Sequence, residues 1–412
     1  MNEFTIIFVI ALILSLDVQW WLKLRHLRHV QHHQHTVPEA FSEKISLSEH
    51  QKAAEYTLTK TKFALISLVV EAIILLIWTL GGLLDFLDQN WQSVGWSPLW
   101  TGVAVMVSMT FIASILDLPM SLYDTFRIES KFGFNRMTLG LFFKDLLKSW
   151  LITLLVLPPL ITLILWLMAH AGAYWWLSVW AVWISFSLLM LWAYPAFIAP
   201  LFNKFTPLEN NELKQRIESL LQRNGFASQG IFVMDGSTRS GHGNAYFTGL
   251  GNQKRIVFFD TLLEGLTHEE IEAVLAHEIG HFKHKHIQKR IVTMAILSLA
   301  SLALLGWLMQ QTWFYSGLGV STPSTHTALI LFMLIMPVFT FFLNPIMAWA
   351  SRRHEFQADE FAAQQAKPET LIQALVKLYR ENASTLTPDP LHSAFYDSHP
   401  PASMRIAHLT KQ

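Results

Sequence analysis

Two histidines four residues apart with a glutamate directly after the first, His277-Glu278-Ile279-Gly280-His281, have types and spacing that nearly specify a reaction. On a helix, residues i and i+4 share a face, so both imidazoles point at one ion. Glu278 then stands beside that ion, placed to take a proton from an acidified water. In a chain with 18 histidines the pattern also arises by accident, so its surroundings decide. Thr267-His268-Glu269-Glu270 has the spacing of a capping box, and Ile271, Val274, Leu275 and Phe282 recur at helical intervals. These signals predict an amphipathic helix carrying a zinc site, against the plainer reading of a solvated or core histidine pair.

A catalytic zinc takes three protein ligands and keeps one position open. The chain has no cysteine, so disulfides and thiolate sites are excluded and the donors must be imidazole and carboxylate. A third histidine at the metzincin offsets is missing, since His284 and Ile287 stand there instead of Gly and His. The remaining choice is a glutamate from a later helix. Within Ser351-Arg352-Arg353-His354-Glu355-Phe356-Gln357-Ala358-Asp359, Glu355 and Asp359 are four apart. Glu355 is therefore expected to bind the ion while Asp359 accepts an imidazole N–H behind it. The competing reading is a juxtamembrane charge cluster, and Glu360, Glu369 and Glu381 are further candidates that lack a paired acid on their face.

The elements that position these groups are mostly membrane spans. Of 412 residues, 52% are hydrophobic and 15% charged, a balance that fits a polytopic membrane protein better than a soluble enzyme. Apolar runs long enough to cross a bilayer lie near 4–22, 63–85, 99–121, 147–169, 175–198, 291–311 and 327–350. The first lacks a basic leader and a cleavage site, so it is expected to be a retained anchor. The links 86–98, 170–174 and 312–326 contain no Lys or Arg, and every Lys and Arg falls in 23–62, 122–148, 203–290 or after 351. This alternation predicts an outside N-terminus and a cytoplasmic C-terminus. Two spans separate His281 from Glu355, which returns both halves of the site to one side of the membrane.

The chain is thus expected to divide into spans one to five (1–202), a zinc-protease segment (203–290), spans six and seven (291–350) and a tail (351–412). The protease segment predicts a polar helix near 209–224. Strands follow at Ile231–Met234, Ala245–Thr248 and Ile256–Phe259, with a turn around Gly249–Gln253. Glu71 and Asp117, within or near spans, either face a watery cavity or pair with a neighbouring helix. His26, His29, His32, His33 and His35 are irregularly spaced and read as a solvated loop rather than a metal site.

Taken together these residues resemble the zinc-dependent type I CaaX prenyl endopeptidases. Beyond the zinc motif, the similarity is carried by Leu118-Pro119 to Phe126, Ile128-Glu129, Gly133-Phe134-Asn135-Arg136 and Pro195 to Phe205. Asn244-Ala245-Tyr246-Phe247, the Arg353–Asp359 run, and His399-Pro400-Pro401 with Arg405 follow in order. The resemblance implies seven long helices around a large intramembrane chamber, capped by a small α+β zinc domain. It implies one zinc per chain on His277, His281 and Glu355, with Glu278 as general base. It further implies that Asn244 and Tyr246 run beside the substrate, and that His399 stabilises the oxyanion with Arg405 nearby at the substrate. His286 matches a family position, whereas His284 does not and reads as solvated. The compact loops are similar to those of bacterial members, which implies the bacterial inner membrane, or the endoplasmic reticulum in a eukaryote.

The expected activity is hydrolysis of a peptide bond in a prenylated CaaX-type or other membrane-associated peptide, at the surface of a lipid bilayer. A formal net charge of zero gives no reason to expect nucleic acid. Two other readings compete. One is an HtpX-like quality-control protease, whose relatives have fewer spans. The other is a channel or binding scaffold with structural zinc, in which Glu278 would have no task.

Overall fold

Apolar residues too numerous for one helix face, with capping signals at their polar ends, make long helices the natural form of this chain. The computed structural model describes residues 2–248 and 253–411. Among them, seven helices are long and apolar enough to cross a membrane. The first is α1 (Glu3–His33), opened by a capping box between Asn2 and Thr5. The second, α2 (Leu47–Trp78), opens on the Ser46–Glu49 box. Next come α3 (Pro98–Tyr123), α4 (Leu139–His170) and α5 (Trp175–Ala193).

Two of these differ instructively from their apolar runs. Helix α2 begins well before residue 63, because backbone hydrogen bonding continues through a polar segment. It also stops short of residue 85: Gly82, at φ 77°, breaks the chain and a separate short helix, Leu83–Gln92, follows. Helix α3 passes into a π-helical turn at Asp124–Glu129 and ends at Gly133, with φ 85°.

The protease segment opens with β1 (Phe205–Pro207), a strand that the sequence did not predict. There follow α6 (Asn211–Arg223), β2 (Ala227–Met234), β3 (Ala245–Thr248) and β4 (Gln253–Phe259). The strand order is β1-β2-β4-β3, with β2 and β4 parallel and the outer pairs antiparallel. Strand β3 is therefore an edge. Residues 249–252 of the expected turn lie outside the described residues. Behind the sheet runs α7 (His268–Lys283), and its Thr267–Glu270 capping box is formed as the spacing predicts.

Span six is α8 (His286–Leu308). Span seven is α9 (Thr325–Thr340), which continues through a 3-10 turn, Phe341–Leu343, into α10 (Asn344–Gln365). The tail adds α11 (Pro368–Glu381), α12 (Pro390–Tyr396) and α13 (Ala402–Leu409). Ala362 of α10 and Leu371 and Leu375 of α11 join Ile256, Phe258, Ile271, Leu275 and Ile279 in one core. Gly280 is required at the crossing of α7 and α10: a Cβ there would stand 2.9 Å from the Ala358 Cα. The glycine inside the motif thus lets the two ligand-bearing helices touch backbone to backbone.

Between α1, α2, α3 and α9 the bundle opens into a cavity of about 680 Å³, lined by both Glu71 and Asp117. A smaller cavity of about 240 Å³ shares Gln19, Ser67 and Glu71 with it and extends to Lys23, Lys60 and Asp124. The cavity reading of the two carboxylates is the one the fold realises. The reading of residues 26–35 as a solvated loop is corrected. His26, His29, His32 and His33 lie on α1, and His26 is buried, its ring stacked 4.1 Å from that of His392. Packing against the far end of the chain, invisible in local spacing, removes it from water.

Candidate metal centre and active site

Helix α7 presents His277 and His281 on one face, and α10 crosses it to bring Glu355 between them. His277 Nε2 lies 3.4 Å from Glu355 Oε2, His281 Nε2 lies 3.3 Å from Glu355 Oε1, and the two ring nitrogens are 3.2 Å apart. These three residues form a group able to hold one metal ion. Of the other tail glutamates, Glu360 bonds His408, Glu381 bonds Arg380 and Glu369 is exposed.

What stands behind each imidazole settles whether a cation fits. His277 Nδ1 is 2.8 Å from Asp359 Oδ1, so it donates and leaves Nε2 as a bare lone pair. His281 Nδ1 is 3.0 Å from His286 Nδ1, and His286 Nε2 is 2.9 Å from Gln357 Oε1. The amide oxygen fixes the His286 proton on Nε2. Its Nδ1 then accepts from His281, whose Nε2 is bare as well. Two lone pairs and a carboxylate converge, and buried Glu355 Oε2 receives no hydrogen bond. Such a donor set fits a divalent cation. The surroundings also favour positive charge. Without a metal, burial and the Arg405 guanidinium oppose an imidazolium at His277, yet Asp359 and Glu355 outweigh them and raise its pKa to about 9, so a bound cation takes the place of the Nε2 proton.

Arg405 is placed differently from its expected contact with substrate. It is 7% exposed, and its Nε and Nη2 fork onto Asp359 at 2.8 and 2.5 Å. It holds the acid that holds His277, while its Nη1 lies 4.0 Å from Glu355 Oε2. His399, by contrast, reaches the site: its Nε2 is 3.4 Å from Glu355 Oε1, with 64% of its side chain exposed. Glu278 is half-buried beside His277 and, among the described residues, makes no hydrogen bond that would occupy its carboxylate.

Asn244 and Tyr246 lie at the start of β3. The Asn244 carbonyl accepts from Phe259 N, and Tyr246 pairs with Val257. Neither bonds to the metal-site cluster among the described residues; they line the free edge of the sheet. His284 is exposed, as expected. Sequence reasoning missed the tasks of His286 and Gln357. Lys285, at φ 56°, turns the chain back so that His286 meets His281, and a non-glycine residue in that conformation leaves no local signal.

A family model described as the CAAX prenyl protease N-terminal region, five membrane helices, matches residues 26–204, and the peptidase family M48 model matches residues 207–412. The chain belongs to peptidase family M48. A CAAX prenyl protease 1 homolog of Arabidopsis thaliana is 35% identical over 386 residues, covering 90% of this chain and 89% of its own. CAAX prenyl protease 1 of Saccharomyces cerevisiae is 38% identical over 319 residues, covering 73% and 70%. The crystal structure of S. mikatae Ste24p matches with a TM-score of 0.92 at 31% identity, over 99% of both chains. This M48 peptidase is a multi-pass membrane metalloprotease, and the reading as a channel or scaffold is set aside.

Proposed function

We propose that this M48 peptidase is a zinc endopeptidase that trims prenylated CaaX-type peptides at the membrane. The observation that carries the reading is the convergence of His277, His281 and Glu355 from α7 and α10, with Glu278 unengaged beside them. A nitrogen and oxygen donor set without thiolate suits zinc, one ion per chain. When bound, the ion supplies Lewis acidity, polarising the scissile carbonyl and acidifying water. The Glu278 carboxylate accepts the proton from the attacking water and returns it to the leaving amine. His399 donates from Nε2 to the carbonyl oxygen as that oxygen gains charge. Asp359, gripped by Arg405, and His286, gripped by Gln357, hold the two ligand imidazoles in register.

The free edge of β3, at Asn244 to Phe247, takes the substrate backbone as an added strand, a pairing tolerant of sequence. The relatives' names motivate the prenylated CaaX class, and the seven spans favour this reading over a quality-control protease with fewer. By the charge alternation of the loops, residues 203–290 and the tail after 351 face the cytoplasm. Single cysteines introduced at 284 and 395 into this cysteine-free chain report the orientation; labelling of either from outside alone would overturn it.

The deciding assay uses purified protein in detergent, challenged with farnesylated and unprenylated CaaX peptides, with products identified by mass. Metal-dependent cleavage of the farnesylated peptide, faster than that of the unprenylated one, is the expected result. Equal turnover of both peptides would remove prenyl recognition from the reading, and no cleavage of either would remove the substrate class.

A further inference from the structure

His399 poses a positioning problem. It lies in the link between α12 and α13, mostly exposed, and among the described residues its side chain hydrogen-bonds to the adjacent Ser398. Pro400 and Pro401 stiffen the chain after it, but stiffness alone does not aim an imidazole. The aim comes from α12. At its start, Asp389 accepts from Leu391 N and His392 N, and from Arg25 Nε of α1 at 3.0 and 2.9 Å. At its end, a seven-residue helix has few amides of its own to offer: Asp397 N–H donates to Ser393 O at 3.0 Å, and outside donors complete the last carbonyls. A single guanidinium nitrogen, Arg352 Nη1, collects them: Ser393 O at 3.2 Å, Ala394 O at 3.4 Å and Asp397 O at 2.9 Å.

We infer that Arg352 is a positioning residue for His399. It sits on α10 three residues before Glu355, so one rigid helix carries both a metal ligand and the clamp on the arm. Asp397, whose carbonyl it holds most closely, is two residues before His399. The separation of His399 Nε2 from Glu355 is therefore set by one turn of helix and two residues of chain, whatever the rest of the tail does. Read from sequence alone, Arg352 is an ordinary cation closing span seven; its three carbonyl partners give it a different task.

The inference rests on His399 acting at the carbonyl oxygen, and the test separates the two. Full-length protein in detergent is assayed with a quenched-fluorescent peptide bearing a farnesylated CaaX end. Arg352→Met is expected to lower kcat by about 10²-fold, the scale of an ångström misplacement, with KM and metal content unchanged. In a His399→Ala background the same substitution should change kcat by less than about two-fold, because its target is gone. Arg352→Lys, whose ammonium has donors for the same carbonyls, should recover most of the rate. Spin labels on cysteines at 398 and 284 should give a narrow distance distribution that Arg352→Met broadens. Equal losses in both backgrounds, a loss of metal, or an unchanged distribution would each overturn the clamp. If His399→Ala keeps full turnover, the oxyanion role fails instead, while the label distances still report on the arm.

Discussion

Two pairs of carboxylates sit in this molecule in opposite circumstances. Glu355 and Asp359, where α10 meets α7, are almost sealed from solvent and crowded by imidazoles and the Arg405 guanidinium. Glu71 and Asp117, on α2 and α3, are exposed to a cavity and, among the described residues, make no hydrogen bond or ion pair. A carboxylate in a dry site must be engaged, or it neutralises itself; one in a wet cavity needs no partner. The difference teaches that the carboxylates of the membrane half face open space, whereas those between α7 and α10 are held by partners.

The widest break in that contrast is Glu355→Ala, which removes the anionic ligand. Metal analysis should find the ion lost and activity abolished; full retention would place the third ligand elsewhere. Glu278→Gln comes next. The amide keeps the shape but cannot act as a base, so kcat should fall by about 10²–10⁴-fold with the metal retained. Loss of metal in that variant would make the glutamate a structural group.

A finer division runs inside the protease half. Asp359 and His286 each orient a ligand imidazole, and replacing either should weaken metal affinity by about 10–100-fold. Only Asp359→Asn also strips Arg405 of its counter-ion in a buried place, a break that typically costs about 3–5 kcal/mol. Its melting temperature should therefore drop well below that of His286→Gln, and equal drops would mean that the two props are equivalent. Smallest of all is the joint change Glu71→Gln with Asp117→Asn. Exposed groups without a hydrogen-bonded partner should alter stability by no more than about 0.5 kcal/mol and leave the metal content untouched. A large loss in the melting curve would mean that these carboxylates are partnered after all.

What the amino-acid sequence discloses follows the range over which each signal acts. The metal helix was legible because its cap, its apolar period and its ligands all lie within one stretch, Thr267 to Phe282. Glu355 was legible because topology returned it to the right side and Asp359 followed at i+4. Strand β1 was not, since three residues show no period. The polar extension of α2 was missed because an apolar run marks only what lipid would cover. His26 was misread, and the grip of Arg405 on Asp359 was missed, for a shared reason. Their surroundings are built from residues distant in the chain, His392 and Asp389 for one and Asp359 for the other.

That two-part construction of the metal site has a bearing on biosynthesis. His277 and His281 leave the ribosome before spans six and seven, and Glu355 only after both. A nascent chain halted at any point between them holds two imidazoles and no carboxylate, and the helix that packs against Gly280 does not yet exist. The proteolytic centre cannot be assembled on an incompletely inserted chain.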